Sequence, residues 1–236
     1  MVKHREFFLV LFATLIVFST MASVFANDPS GAQVTPGPSE GASANQTADS
    51  EDAFAGNVTE LTIYGDSITS AWQGYFGDVS GVIRLANADG NAMYNWSMAS
   101  PSGEIYATTS GSVSWDDTTC FDIATDGAAL ETSYGIASTD GDRINNTFSS
   151  TYGSDIIVGG VTLSGCDGAQ LFGTGGTFDE VILTADAGAT PIFTSVLKQD
   201  TGGFDGDNHD FEMLVLDNGH SGDTDPTSYN FYVELG

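Results

Sequence analysis

Basic residues are nearly missing from this sequence. Five Lys plus Arg stand against 32 Asp plus Glu, a formal charge of −27 at pH 7. Binding to nucleic acid needs Lys and Arg to displace condensed counterions, so nucleic acid is excluded as a partner, and anionic lipid with it. Cysteine is scarce, with two residues, and histidine numbers three. Two isolated cysteines with no nearby histidine lack the ligand spacing of a zinc site. Gly-rich turns (GDVSG, GTGGT, TGGFDGD) recur at no fixed period, which argues against a solenoid. The chain nevertheless carries 41% hydrophobic and 11% aromatic residues, ample for a packed core, so disorder of the whole is also excluded.

The first 26 residues read MVKHREFFLVLFATLIVFSTMASVFA. Lys3 and Arg5 precede an apolar run over 7–18, and Val24 and Ala26 suit the small-residue pockets of signal peptidase. The reading is a secretory leader, residues 1–26, cut before Asn27. The competing reading is an uncleaved anchor, because 7–26 just reaches the length of a bilayer span. No Cys stands near the cut for lipidation, and Pro29 and Gly31 follow too soon for a pilin-type helix. Losing Lys3, Arg5 and Glu6 leaves 3 basic and 31 acidic residues, a charge of −28. After removal of the leader no membrane contact is expected.

Export places Cys120 and Cys166 in an oxidising compartment, where they are expected to pair; two buried free thiols are the alternative. Four Asn-x-Ser/Thr sequons, at Asn45, Asn57, Asn95 and Asn145, point to a glycosylated surface.

Residues 27–56 hold three Pro and many small polar residues, with almost nothing to bury. They read as a flexible polar spacer. From 57 to 236 the texture changes to short runs rich in β-branched and aromatic residues, bounded by Gly, Asp, Asn or Ser. These are TELTIYG at 59–65, SGVIRLAN at 80–87, AMYNWSM at 92–98, GEIYATT at 103–109 and DIIVGGVTL at 155–163. DEVILTAD at 179–186, PIFTSVL at 191–197, FEMLVLD at 211–217 and SYNFYVEL at 228–235 follow. Many short strands separated by turns predict one all-β domain over 57–236, an antiparallel β-sandwich or jelly-roll. The one helix worth naming lies at 127–133, a turn or two long. A strand ending one residue from the C-terminus is expected to leave an edge open for pairing with a neighbour.

Gly65-Asp66-Ser67-Ile68-Thr69, with Asp217-Asn218-Gly219-His220 near the other end, resembles the blocks of the GDSL-type hydrolases. The resemblance covers about nine residues and implies an esterase. Ser67 would attack, His220 would take its proton and Asp217 would orient His220. That family is an α/β fold with a helix after its serine, whereas here TSAWQGYFGDVSG follows, with Gly at 74, 77 and 81. Its Gly-x-Asn block has no comfortable counterpart, since Gly206-Asp207-Asn208 falls too near the C-terminal block. The local reading is that Gly65-Asp66 is a hairpin turn and Ser67 an ordinary strand residue. The fold context makes the motif a decoy.

Asp205, Asp207 and Asp210, then Asp217, Asp223 and Asp225, lie on Gly-rich loops. Hard oxygen ligands on bendable loops suit calcium, and Asp205, Asp207 and Asp210 are the candidate ligands. The twelfth position from Asp205 is Leu216, so this is not an EF-hand, and a solvated acidic surface is the plainer reading. His209 and His220 read as turn residues. Trp72, Trp96, Trp115, Tyr75, Phe76 and Tyr94 could line a sugar-binding face, though at strand spacing such residues more often fill a core.

The strings WQGYFGDVSG, SPSGEIYA and FEMLVLDNGHSGD…YNFYVELG, together with the Cys pair, resemble a group of secreted archaeal surface proteins over much of 58–236. The resemblance implies location and fold, and no chemistry. The function expected is therefore structural and extracellular: a subunit of a layer, sheath or filament, self-associating through strand edges. The alternatives are a carbohydrate-binding or adhesin module and the esterase. No cofactor is expected beyond calcium.

Overall fold

The computed structural model describes residues 28–41, 47–172, 177–218 and 226–236. The expected leader, Asn45, His220, Asp223 and Asp225 lie outside the described residues. Strands β1 (Ser30–Gly31), β2 (Trp72–Gly77), β3 (Gly81–Ala86), β4 (Ala92–Met98) and β5 (Gly103–Thr108) come first. A short β6 (Thr119–Cys120) leads into helices α1 (Ile123–Ser133) and α2 (Ile144–Thr147). Then come β7 (Ser150–Thr151), β8 (Ile156–Val158), β9 (Val161–Leu163), β10 (Asp167–Leu171), β11 (Phe178–Thr184) and β12 (Pro191–Val196). The chain ends with β13 (Thr201–Gly202), β14 (Asn208–His209), β15 (Phe211–Leu216) and β16 (Asn230–Leu235). The fold is all-β and every strand pairing is antiparallel, as the run spacing predicts.

The principal sheet runs β1-β16-β5-β12-β11-β10-β7, with β6 also pairing β11. Its central strands alternate between two cores. On one face Ala107, Ile182 and Phe193 pack with Met213, Val215 and Leu216 of β15, with Phe121, and with Ile123 and Leu130 of α1. On the other face Tyr106, Val181, Leu183 and Ile192 pack with Trp115, Ile156 and Val158. Coverage on both faces explains why consecutive residues are apolar at Val181, Ile182 and Leu183 of β11 and at Ile192 and Phe193 of β12, without the alternation of a half-exposed strand. The small β2–β15 sheet forms the second layer of the sandwich. Two polar ties reinforce the stacking: Ser195 donates to the Glu212 carbonyl at 2.8 Å, and the Leu214 amide donates to Glu180 Oε2 at 2.9 Å.

Four expectations need correction. The run at 59–65 forms no strand: residues 58–68 are exposed and, among the described residues, paired with nothing. The spacer is not wholly detached, because Ser30 and Gly31 pair with Val233 and Tyr232, and Pro29 is buried. The C-terminal strand is consequently no free edge; β16 lies between β5 and β1. The helix starts four residues earlier than expected. Asp122 caps it, accepting from the Thr125 amide at 3.2 Å, and that bond outweighs the poor helix propensity of Gly127.

Cys120 and Cys166 are joined as expected, with their Cα atoms 5.0 Å apart. The bridge ties β6 to the start of β10, neighbours along the one edge of β11 that faces away from β12.

Candidate interaction surface

The hairpin β3–β4 stands apart from the sandwich. Among the described residues its strands pair only with each other, and at its base Gly81 lies against Leu235 and Met98. A turn closes it: the Gly90 amide donates to the Asn87 carbonyl, and the Asn91 amide to Asn87 Oδ1. Gly90 has φ +80°, a left-handed conformation that favours glycine.

Register decides what each face carries. Ile83 opposes Trp96 and Leu85 opposes Tyr94, so these four large apolar side chains share one face. Val82 opposes Ser97 and Arg84 opposes Asn95, giving a mainly polar face on the other side. All four residues of the apolar face are between 47% and 59% exposed, and the Tyr94 and Trp96 rings meet with centroids 4.8 Å apart. An uncovered sheet face of this kind is unusual for a monomeric soluble domain. The hairpin is also electrically distinct. It carries one acid, Asp89, and one base, Arg84, in a chain where acids outnumber bases 32 to 5.

The second uncovered element is the segment 58–68. Val58, Leu61, Ile63 and Tyr64 are between 59% and 101% exposed. Just downstream the chain is anchored: Thr69 Oγ1 donates to Asp142, and the Ala71 carbonyl accepts from the Asp217 amide at 3.0 Å.

The expected aromatic face therefore divides. Trp115 is core, packed on Tyr106 and Tyr232; Trp72 packs on Phe148 and Phe193 and donates to the Asp142 carbonyl. Tyr75 lies edge-on to Phe231, and Phe76 meets Phe204 and His209. Tyr94 and Trp96 form an exposed platform on the hairpin, while the half-exposed Phe76 and Phe204 meet beside β14.

The esterase geometry lacks its frame. Ser67 sits in the exposed 58–68 segment, with no strand before it and strand β2, rather than a helix, after it. Asp217 Oδ1 accepts from the Thr227 amide at 3.1 Å, and His220 lies outside the described residues.

The calcium ligand set does not converge. Asp205 bonds His209 Nε2 at 3.0 and 3.1 Å, and the Asp207 amide donates to it at 3.0 Å; that amide and then His209 hold its carboxyl below the usual range. Asp210 is buried, and its two oxygens accept from the Val79 and Asp200 amides at 2.8 and 3.1 Å. Asp207 is exposed. Among the described residues no group of three His, Cys, Asp or Glu side chains is placed to hold a metal ion. Asp205 and Asp210 fix the β13–β14 hairpin beside β15.

Of the sequons within the described residues, Asn57, Asn95 and Asn145 are all exposed. Asn95 lies on the hairpin face opposite Tyr94 and Trp96.

Together the fold and surface define a class: a disulfide-tied β-sandwich with a projecting apolar hairpin and an unpaired β-like segment. Comparison with protein-family models, curated proteins and solved structures finds no match in any of the three.

Proposed function

We propose that this chain is an exported structural protein of the cell surface, a subunit that self-associates into an extracellular layer, sheath or filament. The observation that carries the reading is the apolar face of β3–β4. A rigid sandwich holds four large apolar side chains in water, where covering them with a partner would recover about 25 cal/mol per Å². Sequon placement supports it, since a glycan on Asn95 would project from the opposite face and leave the apolar one open. The acidic body also fits a secreted structural role. Like-charged subunits stay dispersed at low salt and approach when salt shortens the screening length.

A second reading rests on one observation, the exposed Tyr94–Trp96 pair, which offers a stacking platform to a sugar ring. Negative-stain electron microscopy and sedimentation of the purified protein in high salt with calcium separate the two. Ordered filaments, tubes or sheets are expected. Dispersed monomers that bind glycans in an array screen would replace assembly with carbohydrate binding.

A further inference from the structure

Resting on the reading of self-association, we infer that the joint between subunits is strand addition: residues 58–64 of one copy pair along the outer edge of β3 in the next. Four observations converge on this occupant.

The first is pairing. Among the described residues TELTIY, which has the composition of a strand, pairs with nothing, and β3 pairs only with β4 and keeps its other edge open. An unpaired strand and an unpaired edge satisfy each other's backbone groups.

The second is face matching. In an added strand Leu61 and Ile63 fall on one side and Glu60 and Thr62 on the other. Leu61 and Ile63 then extend the apolar face of Ile83, Leu85, Tyr94 and Trp96. Glu60 falls on the face that carries Arg84. The charges are complementary there, at the one basic residue of a hairpin whose net charge is zero.

The third is area. Side chains of this size bury roughly 150–200 Å² each when fully covered, so four half-exposed ones have roughly 350–400 Å² left to lose. Two hairpins stacked face to face would cover only about 800 Å², below the roughly 1,200 Å² of a stable interface. Edge addition instead buries the backbone of both strands and the flanks of Val58, Leu61, Ile63 and Tyr64, which are 59–101% exposed, with Leu61 and Ile63 beside the apolar face and Val58 and Tyr64 on the Arg84 side.

The fourth is placement. The donor segment enters the sandwich at the Trp72 end of β2, and the hairpin leaves three residues beyond the Gly77 end. A six-residue strand spans about 20 Å, so donor and acceptor sit at opposite ends of the body. Pairing of donor on one copy with acceptor on the next is heterologous, and a heterologous contact that does not close propagates as a filament.

The test uses two variants altered only at exposed positions. Leu61→Asp/Ile63→Asp removes the donor, and Ile83→Asp/Leu85→Asp removes the acceptor; circular dichroism and the thermal midpoint verify that each folds. Under conditions where the unaltered protein forms filaments, each variant alone is expected to stay monomeric by sedimentation. Their equimolar mixture is expected to form a species of twice the monomer mass and stop, because one good donor meets one good acceptor. In a second arm Arg84→Glu raises the concentration needed for assembly on the order of tenfold, and Glu60→Lys added to it restores the original value. If both double variants assemble like the unaltered protein, the joint lies elsewhere and the inference falls while self-association stands. If neither assembles and the mixture stays monomeric, head-to-tail pairing is wrong. If the unaltered protein never assembles, both readings fall together.

Discussion

Glu104 and Glu234 face each other directly across the β5–β16 pair. Like charges in that position repel, and here one partner is shielded from water. Burial, and then the Glu234 charge, pushes the Glu104 carboxyl up from 4.5 to about 7. Glu234 is held in place by the Tyr106 hydroxyl at 3.3 Å and the Gly159 amide at 3.0 Å, so the pair cannot easily splay.

A pH dependence follows. Between about 4.5 and about 7 the folded state holds a proton on Glu104 that the unfolded state has released, so stability falls as pH rises through that window. The full shift would be worth about 3 kcal/mol, and partial solvent access reduces it to on the order of 2 kcal/mol. Urea unfolding should show a lower midpoint at pH 8 than at pH 5. Glu104→Gln should reduce that drop and raise the midpoint at pH 8. A variant with an unchanged pH profile would show that Glu104 is not the group behind the drop.

How far the sequence reveals this arrangement depends on the range of each interaction. Strands such as β4, β5, β12 and β16 are legible because period and turn residues are local. β2 is not, since Gly74 and Gly77 dilute its aromatic residues; Leu214, Met213 and their neighbours across the pair supply its order instead. The opposite error occurs at 59–65, whose composition is strand-like but which pairs with nothing among the described residues. The interior position of β16 was hidden for the same reason, because β1 comes from a stretch that reads as polar spacer. The hairpin surface was visible only as aromatic letters; the register that puts Ile83, Leu85, Tyr94 and Trp96 on one face requires the structure.

The disulfide makes a second prediction. Cys120 and Cys166 close a loop spanning 46 residues, which in the chain-entropy model is worth about 4 kcal/mol. Replacing both with Ala should lower the unfolding free energy by about that amount. Denaturant titration with and without reductant checks it: reductant should affect the unaltered protein and leave the double variant unmoved.

Arg143 and Glu131 form the third case. Arg143 Nε lies 3.2 Å from both Glu131 oxygens, its Nη1 donates to the Ser138 carbonyl at 2.9 Å, and the Glu131 side chain is nearly fully buried. This pair pins α1 to the start of α2. Arg143→Met should cost about 3 kcal/mol, because it strands a buried carboxylate. Arg143→Met/Glu131→Met should recover most of that loss, since no buried charge remains. A double variant as unstable as the single would mean that the Ser138 bond, not the ion pair, carries the stability.

Assembly itself should respond to salt in a way that separates screening from ion binding. The screening length is about 30 Å at 0.01 M and about 3 Å at 1 M, so subunits this acidic, with 32 Asp plus Glu against 5 Lys plus Arg in the full chain, repel over their whole facing surfaces only in dilute salt. Light scattering should therefore show slow or absent growth at low ionic strength and fast growth in concentrated sodium chloride. Calcium provides the contrast. Because Asp205 is engaged with His209 and Asp210 with the Val79 and Asp200 amides, calcium should do no more than sodium at matched ionic strength. A strong excess effect of calcium would instead locate an ion between subunits, where carboxylates from two copies meet. The excess should then disappear on chelation at constant ionic strength, which screening alone would not do.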